Sequence, residues 1–252
     1  MGSEVVSIYI GQGKRKFTVH KKLLLGAGQI FSDMFPVGRK ATERVTLGKE
    51  EPEIFKLFVE YLYTKIILRL HNGISVDANA QRIRDLCQLY AFLDKFQLDV
   101  KICNKVMDTI QDGFYFLDTL PDTDLITVIY EHTAPTSKLR RFCTATLVFG
   151  LRMQHGTVKE DMLVALLSGN KDILRDFARS IVDMEDLDPR IRDCGGDLNC
   201  TECLPDPDRV KAKAVGSWPC KYHIQDSPQI KSEDASGERV VSHEEICYLW
   251  KI

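Results

Sequence analysis

FTVHKKLLLGAGQIFSDMF, residues 17–35, changes its period twice within nineteen residues, and that change decides the fold. Phe17 and Val19 alternate with Thr18 and His20, the two-residue period of a strand with one buried face. The run before it, Val6, Ile8 and Ile10 alternating with Ser7 and Tyr9, has the same period, and Gly11 to Lys14 joins the two as a hairpin turn. After His20 the pattern becomes helical. Leu23, Leu24 and Leu25 follow paired lysines and stop at Gly26 and Gly28; then Ile30, Phe31, Met34 and Phe35 fall on one helical face that Pro36 closes.

Outward from that stretch the chain reads as mainly helical. Val45 to Leu47 is a short strand, and Pro52 opens a helix at the position where a missing N–H costs nothing. On that helix Phe55, Phe58, Val59 and Leu62 recur at i, i+3, i+4 and i+7, a stripe that must be buried. Residues 65–79, with His71, Asn72 and Gly73, read as an exposed insertion. Helix 80–94 carries Ile83, Leu86, Cys87, Tyr90 and Leu93, and helix 99–111 carries Val100, Cys103, Met107 and Ile110. Each is expected to lay one side on the hairpin sheet.

A histidine opening the first helix, a leucine cluster and a Phe-x-x-Met-Phe ending together resemble the signature of the BTB/POZ fold. EPEIFKLFVEYLYTKII (51–67) is similar to that family's next helix with its Tyr-Thr ending, and LCQLYAFLDKFQLDVKICNKVMDTI (86–110) to the helical pair that follows. Four blocks in order, over roughly the first 115 residues, carry the resemblance. IYEHTAPTSKLRRFCTATLVFG (129–150) resembles a C-terminal extension of fungal BTB proteins.

The resemblance implies an α+β fold for residues 1–116, a BTB/POZ-like small sheet with a helical cluster, and a function in protein–protein interaction. It implies homodimers, or pairs with other BTB proteins, formed through the first strand and helix, with His20, Lys21, Leu24, Phe31 and Phe35 as interaction and structural residues. Lys21 stands as the basic partner of that interface and Glu4 as a loose counterpart of its acidic one. His20 would pack and hydrogen-bond rather than catalyse, since no Ser, Cys or carboxylate partner is suggested beside it. The alternative function is a substrate adaptor of a cullin-type ubiquitin ligase. Such adaptors carry a hydrophobic-x-Glu element after the Phe-containing helix, whereas PVGRKATERV here places Gly38 and Arg39 after Val37, with no acid.

Composition bounds the remaining classes. A chain of 252 residues buries about 70% of its unfolded surface in one or two domains. Hydrophobic content of 44% with 28% charged residues is that of a globular protein, and no run approaches the roughly 20 apolar residues of a membrane span. MGSEVVSIYIGQ lacks the basic and apolar segments of a secretory signal, so the expected location is the cytoplasm or nucleus. GQGK and GAG match no phosphate-loop pattern and read as turns. Cys87, Cys103 and Cys143 each fall on an apolar helical face, where a thiol packs as a small hydrophobe.

Residues 117–185 form an all-helical extension. One helix holds Leu125, Val128 and Ile129; another, capped by Ser137, holds Leu139, Phe142, Cys143, Thr146 and Leu147. Thr157 and Glu160 make a capping box ahead of Met162, Leu163, Leu166 and Leu167, and a last helix over Lys171 to Asp183 presents Ile173, Leu174, Phe177 and Ile181.

Beyond Asp183 the chain turns to Asp, Pro, Gly and Cys, an irregular Cys-rich tail over 186–252. CTEC and CKYH place Cys200, Cys203, Cys220 and His223 as C-x-x-C, a sixteen-residue spacer and C-x-x-H. Two-residue gaps let one knuckle offer two ligands on the same side, so a structural zinc is the expected cofactor, with Cys194, His243 and Cys247 as alternate ligands. A flexible tail with reduced thiols is the competing reading. A zinc hydrolase is disfavoured, because four Cys-rich ligands close the site that a reacting water needs open. Nine Lys or Arg against thirteen Asp or Glu from Asp186 onward give the tail a net charge of −4, the wrong sign for a nucleic-acid partner.

Overall fold

The computed structural model describes residues 4–36, 44–153, 159–182, 188–191 and 222–224. Strands β1 (Val5–Ile10) and β2 (Arg15–His20) pair antiparallel, with Val5 opposite His20 and Ile10 opposite Arg15. The alternation buries Ile8, Ile10 and Val19 completely on one face. The turn is reached through positive φ at Gly11 and Lys14. Gly11 is confined from outside as well: a Cβ there would lie 3.1 Å from Pro52 Cγ, and its N–H donates to the Leu47 carbonyl at 3.0 Å. Leu47 belongs to β3 (Val45–Leu47), which pairs parallel to β1 and gives the order β2-β1-β3.

Helices α1 (Lys21–Leu25) and α2 (Gln29–Met34) follow, separated by Gly26, Ala27 and Gly28. The break is itself a docking point, since the Ala27 carbonyl accepts the Asp99 N–H at 2.8 Å. Helix α3 (Pro52–Thr64) starts at Pro52 and buries Phe55 and Phe58 fully. Around them the aromatic rings interlock: Phe31 stacks on Phe58 at 5.8 Å, and Phe92 meets Phe55 edge-on at 6.0 Å and Phe58 at 5.5 Å. Phe92 lies on α4 (Val76–Lys95), which Ser75 caps by accepting the Ala78 N–H.

Helix α4 is the hub. It packs on α3 and on α5 (Val100–Phe116), and its far end meets α6 (Thr123–His132) and α7 (Lys138–Met153). The sequence places α5 on the sheet; in the fold its apolar side, Cys103, Met107, Ile110 and Phe114, packs chiefly on α4. Residues 65–75 are also less exposed than expected. Ile66 and Leu68 face solvent, whereas Ile67 and Leu70 pack on the core, and Asn79, buried inside α4, donates to the His71 carbonyl.

The extension closes with α8 (Glu160–Gly169) and α9 (Lys171–Val182), α9 lying along α7. The expected capping box is not what starts α8: Lys159 holds the N-cap position without a side-chain bond, and Thr157 lies outside the described residues. Arg140 ties these helices together. Its buried guanidinium donates to the carbonyls of Tyr130 and Thr133 and to Thr133 Oγ1, lies over the Tyr130 ring at 4.5 Å, and faces Asp172 at 3.7 Å. One continuous buried cluster runs from β1 to Ile173 on α9 and takes in Tyr222.

Candidate functional site

The first strand and first helix meet at the end of β2, where every residue on the surface has a visible reason to be there. His20 stands at the N-cap position of α1 with extended backbone angles, but its side chain caps nothing. It turns to α3 instead: the Tyr63 hydroxyl accepts the His20 backbone N–H at 3.1 Å and meets ring Nδ1 at 2.7 Å. This is a packing and hydrogen-bonding role that joins strand to helix. Leu24 and Phe31 are fully buried and Phe35 nearly so, which makes them core residues beneath the surface.

Lys21 and Glu4 find each other within one chain. Lys21 Nζ lies 3.0 Å from Glu4 Oε1, and the Lys21 N–H donates to the Glu4 carbonyl at 2.9 Å. The pair brackets the start of β1 and of α1. Beside it, Val5 is 45% exposed, and one helical turn from Lys21, Leu25 is 37% exposed. An apolar pair with a charged pair between them is a surface that a second protein can cover.

Residues 5–109 match the family model described as BTB/POZ domain. The chain carries a BTB/POZ domain. No curated protein matches the chain. BTB domains are interaction modules that mediate self-association or binding to other proteins, and the α+β fold with its small three-stranded sheet is the one that the four sequence blocks imply. Val37, Gly38 and Arg39, where a cullin-binding element would begin, lie outside the described residues of the BTB domain.

The cysteines divide as their surroundings require. Cys87, Cys103 and Cys143 are buried thiols in the BTB core and its junction with the extension. Burial pushes the Cys103 thiol up to about 12, with nearby Asp94 and Asp99 adding to the rise, and it pushes Cys87 and Cys143 up as well. None of the three is a thiolate at neutral pH, so none is a nucleophile. Cys194, Cys200, Cys203, Cys220, His243 and Cys247 lie outside the described residues. Among the described residues no group of three or more His, Cys, Asp or Glu is placed to hold a metal ion, and no helix is long and apolar enough to cross a membrane.

His223 is the one proposed tail ligand whose place is described, and it sits on the BTB domain. Its Nε2 lies 2.8 Å from Asp108 Oδ1 on α5, with His223 9% and Asp108 7% exposed. A carboxylate on one ring nitrogen leaves Nδ1 as the nitrogen that a metal would take, so the donor chemistry of His223 fits a zinc ligand. Sequence reasoning missed both partners that matter here, Tyr63 for His20 and Asp108 for His223. The only signal for Asp108 was a carboxylate one residue beyond the buried face of an amphipathic helix.

Proposed function

We propose that the chain is a non-enzymatic interaction module that self-associates, or pairs with other BTB proteins, through the face formed by β1 and α1. What supports this reading is the exposed pair Val5 and Leu25 beside the Lys21–Glu4 bridge on a BTB/POZ domain. Burying two aliphatic side chains from each partner contributes to association, and the bridge sets register more than affinity. Sedimentation velocity on the full chain is expected to give twice the chain mass, and Val5→Glu with Leu25→Glu is expected to return a single chain of unchanged helicity. A single chain for both, at tens of micromolar, overturns the proposal.

The alternative, a substrate adaptor of a cullin-type ubiquitin ligase, is separated by co-purification. It requires strong recovery of the cullin scaffold, lost when residues 30–63 are replaced. The same proposal gives the tail a structural zinc held by Cys200, Cys203, Cys220 and His223, with Asp108 orienting the histidine ring from the BTB domain. Its chemistry there would be to order a segment poor in apolar residues, with no part in a reaction.

A further inference from the structure

Helix α5 carries two stripes one residue apart. Cys103, Met107, Ile110 and Phe114 form the apolar one, spent on the core. Asn104, Asp108 and Gln111 form the second at i, i+4 and i+7, a row of polar side chains that are buried or half-buried. Polar groups removed from water need partners, and here each partner comes from the C-terminal part of the chain.

The match is residue by residue. Asn104 Nδ2 donates to the Ile224 carbonyl at 3.1 Å, and the Ile224 N–H donates to Asn104 Oδ1 at 2.8 Å. A side-chain amide taking both main-chain groups of one residue does what a neighbouring strand does, so it reads an extended backbone whatever its sequence. Asp108 then reads a side chain, the His223 ring at 2.8 Å. Phe142 on α7 reads another: Tyr222 meets it edge-on at 5.5 Å and 83° and is buried there. Gln111 donates to the Pro189 carbonyl at 2.9 Å, and Arg190 beyond it bonds Asp118 at 3.0 Å, which lays the incoming segment on the same helix.

We propose that the Asn104–Asp108 stripe with Phe142 is a docking site for an extended aromatic–His–aliphatic peptide, filled in cis by Tyr222–His223–Ile224 and open to a partner segment of that chemistry. The occupant already seated shows the chemistry that the site accepts. The site lies on α5 and α7 rather than on the β1–α1 face, so it does not depend on how the BTB domain self-associates. Displacing the segment breaks no helix. It exposes polar groups that water can serve and that a second peptide serves equally well.

The test uses the full chain and a fluorescent peptide of residues 218–227 with Cys220→Ser. Anisotropy is measured against the wild-type chain, the Tyr222→Ala chain, and the Tyr222→Ala chain that also carries Asn104→Ala. His223 is retained in all three so that any metal chemistry of the tail is untouched. The peptide is expected to bind the Tyr222→Ala chain at least tenfold more tightly than wild type, and to lose that gain with Asn104→Ala while helicity is unchanged. Absence of binding to the Tyr222→Ala chain overturns the proposal, as does equal binding to wild type or binding indifferent to Asn104→Ala.

Discussion

Asp94 lies on α4 where that helix meets the start of α7, facing Tyr90 on its own helix, Cys103 on α5, and Ser137 and Arg140 on α7. Burial pushes its carboxyl up from the ordinary range, and the Ser137 hydroxyl, the Ala134 N–H and the Arg140 guanidinium offset that only in part. A carboxyl raised on folding holds its proton more tightly in the native state than in the unfolded chain. Its contribution is therefore complete below about pH 4, the unfolded value, and is lost as pH rises through the raised folded value. Asp94→Asn removes that loss. Urea midpoints between pH 4 and pH 7 are expected to fall less steeply for Asp94→Asn than for wild type, and parallel profiles would contradict the assignment. The neighbouring Tyr90 and Cys103 do not interfere, since both are pushed upward and stay neutral across that range.

Among the elements, the hairpin shows how a local signal and a distant constraint meet in one residue. Gly11 has φ +72°, a left-handed conformation that costs an L residue about 1–2 kcal/mol, and its missing Cβ makes room for Pro52 at the start of α3. Gly11→Ala is expected to destabilise the fold by about 1–2 kcal/mol, read as a lower urea midpoint at unchanged slope. Gly13, where an added Cβ would meet nothing within 4 Å, is the control whose alanine variant changes little. The boundaries of most elements were legible because they rest on nearby residues: period two in β1 and β2, Pro52 opening α3, Gly26 to Gly28 parting α1 from α2. The start of α8 was not. A Thr-x-x-Glu pattern describes a favourable cap, but the chain begins that helix at Glu160 after Lys159, and packing against α9 decides where it starts.

Across the molecule, the decisive feature is that the chain returns to its own BTB domain. Residues 188–191 and 222–224 both lie on α5, so the tail is held at two points while the core beneath it is built from residues 8–173. That division makes the metal proposal testable. Chelation is expected to remove one zinc per chain and to raise hydrogen exchange beyond Asp183, leaving α3, α4 and α5 protected. A chain without zinc removes the metal from the account, and loss of protection throughout would show that the core depends on it.

Short-range periodicity was enough for the two alternating strands, the buried faces of α3 to α7, the three core cysteines and the BTB/POZ likeness of the first blocks. Those patterns can be read from the chain alone because neighbours two, three or four residues apart share a face. Folding in three dimensions was needed to pair β3 parallel with β1, to close Lys21 on Glu4, and to give His20 and His223 their partners, which lie 43 and 115 positions away. A polar side chain carries no periodic trace of the group that will satisfy it. Its partner is chosen when packing brings two distant segments together and burial makes an unmet hydrogen bond costly.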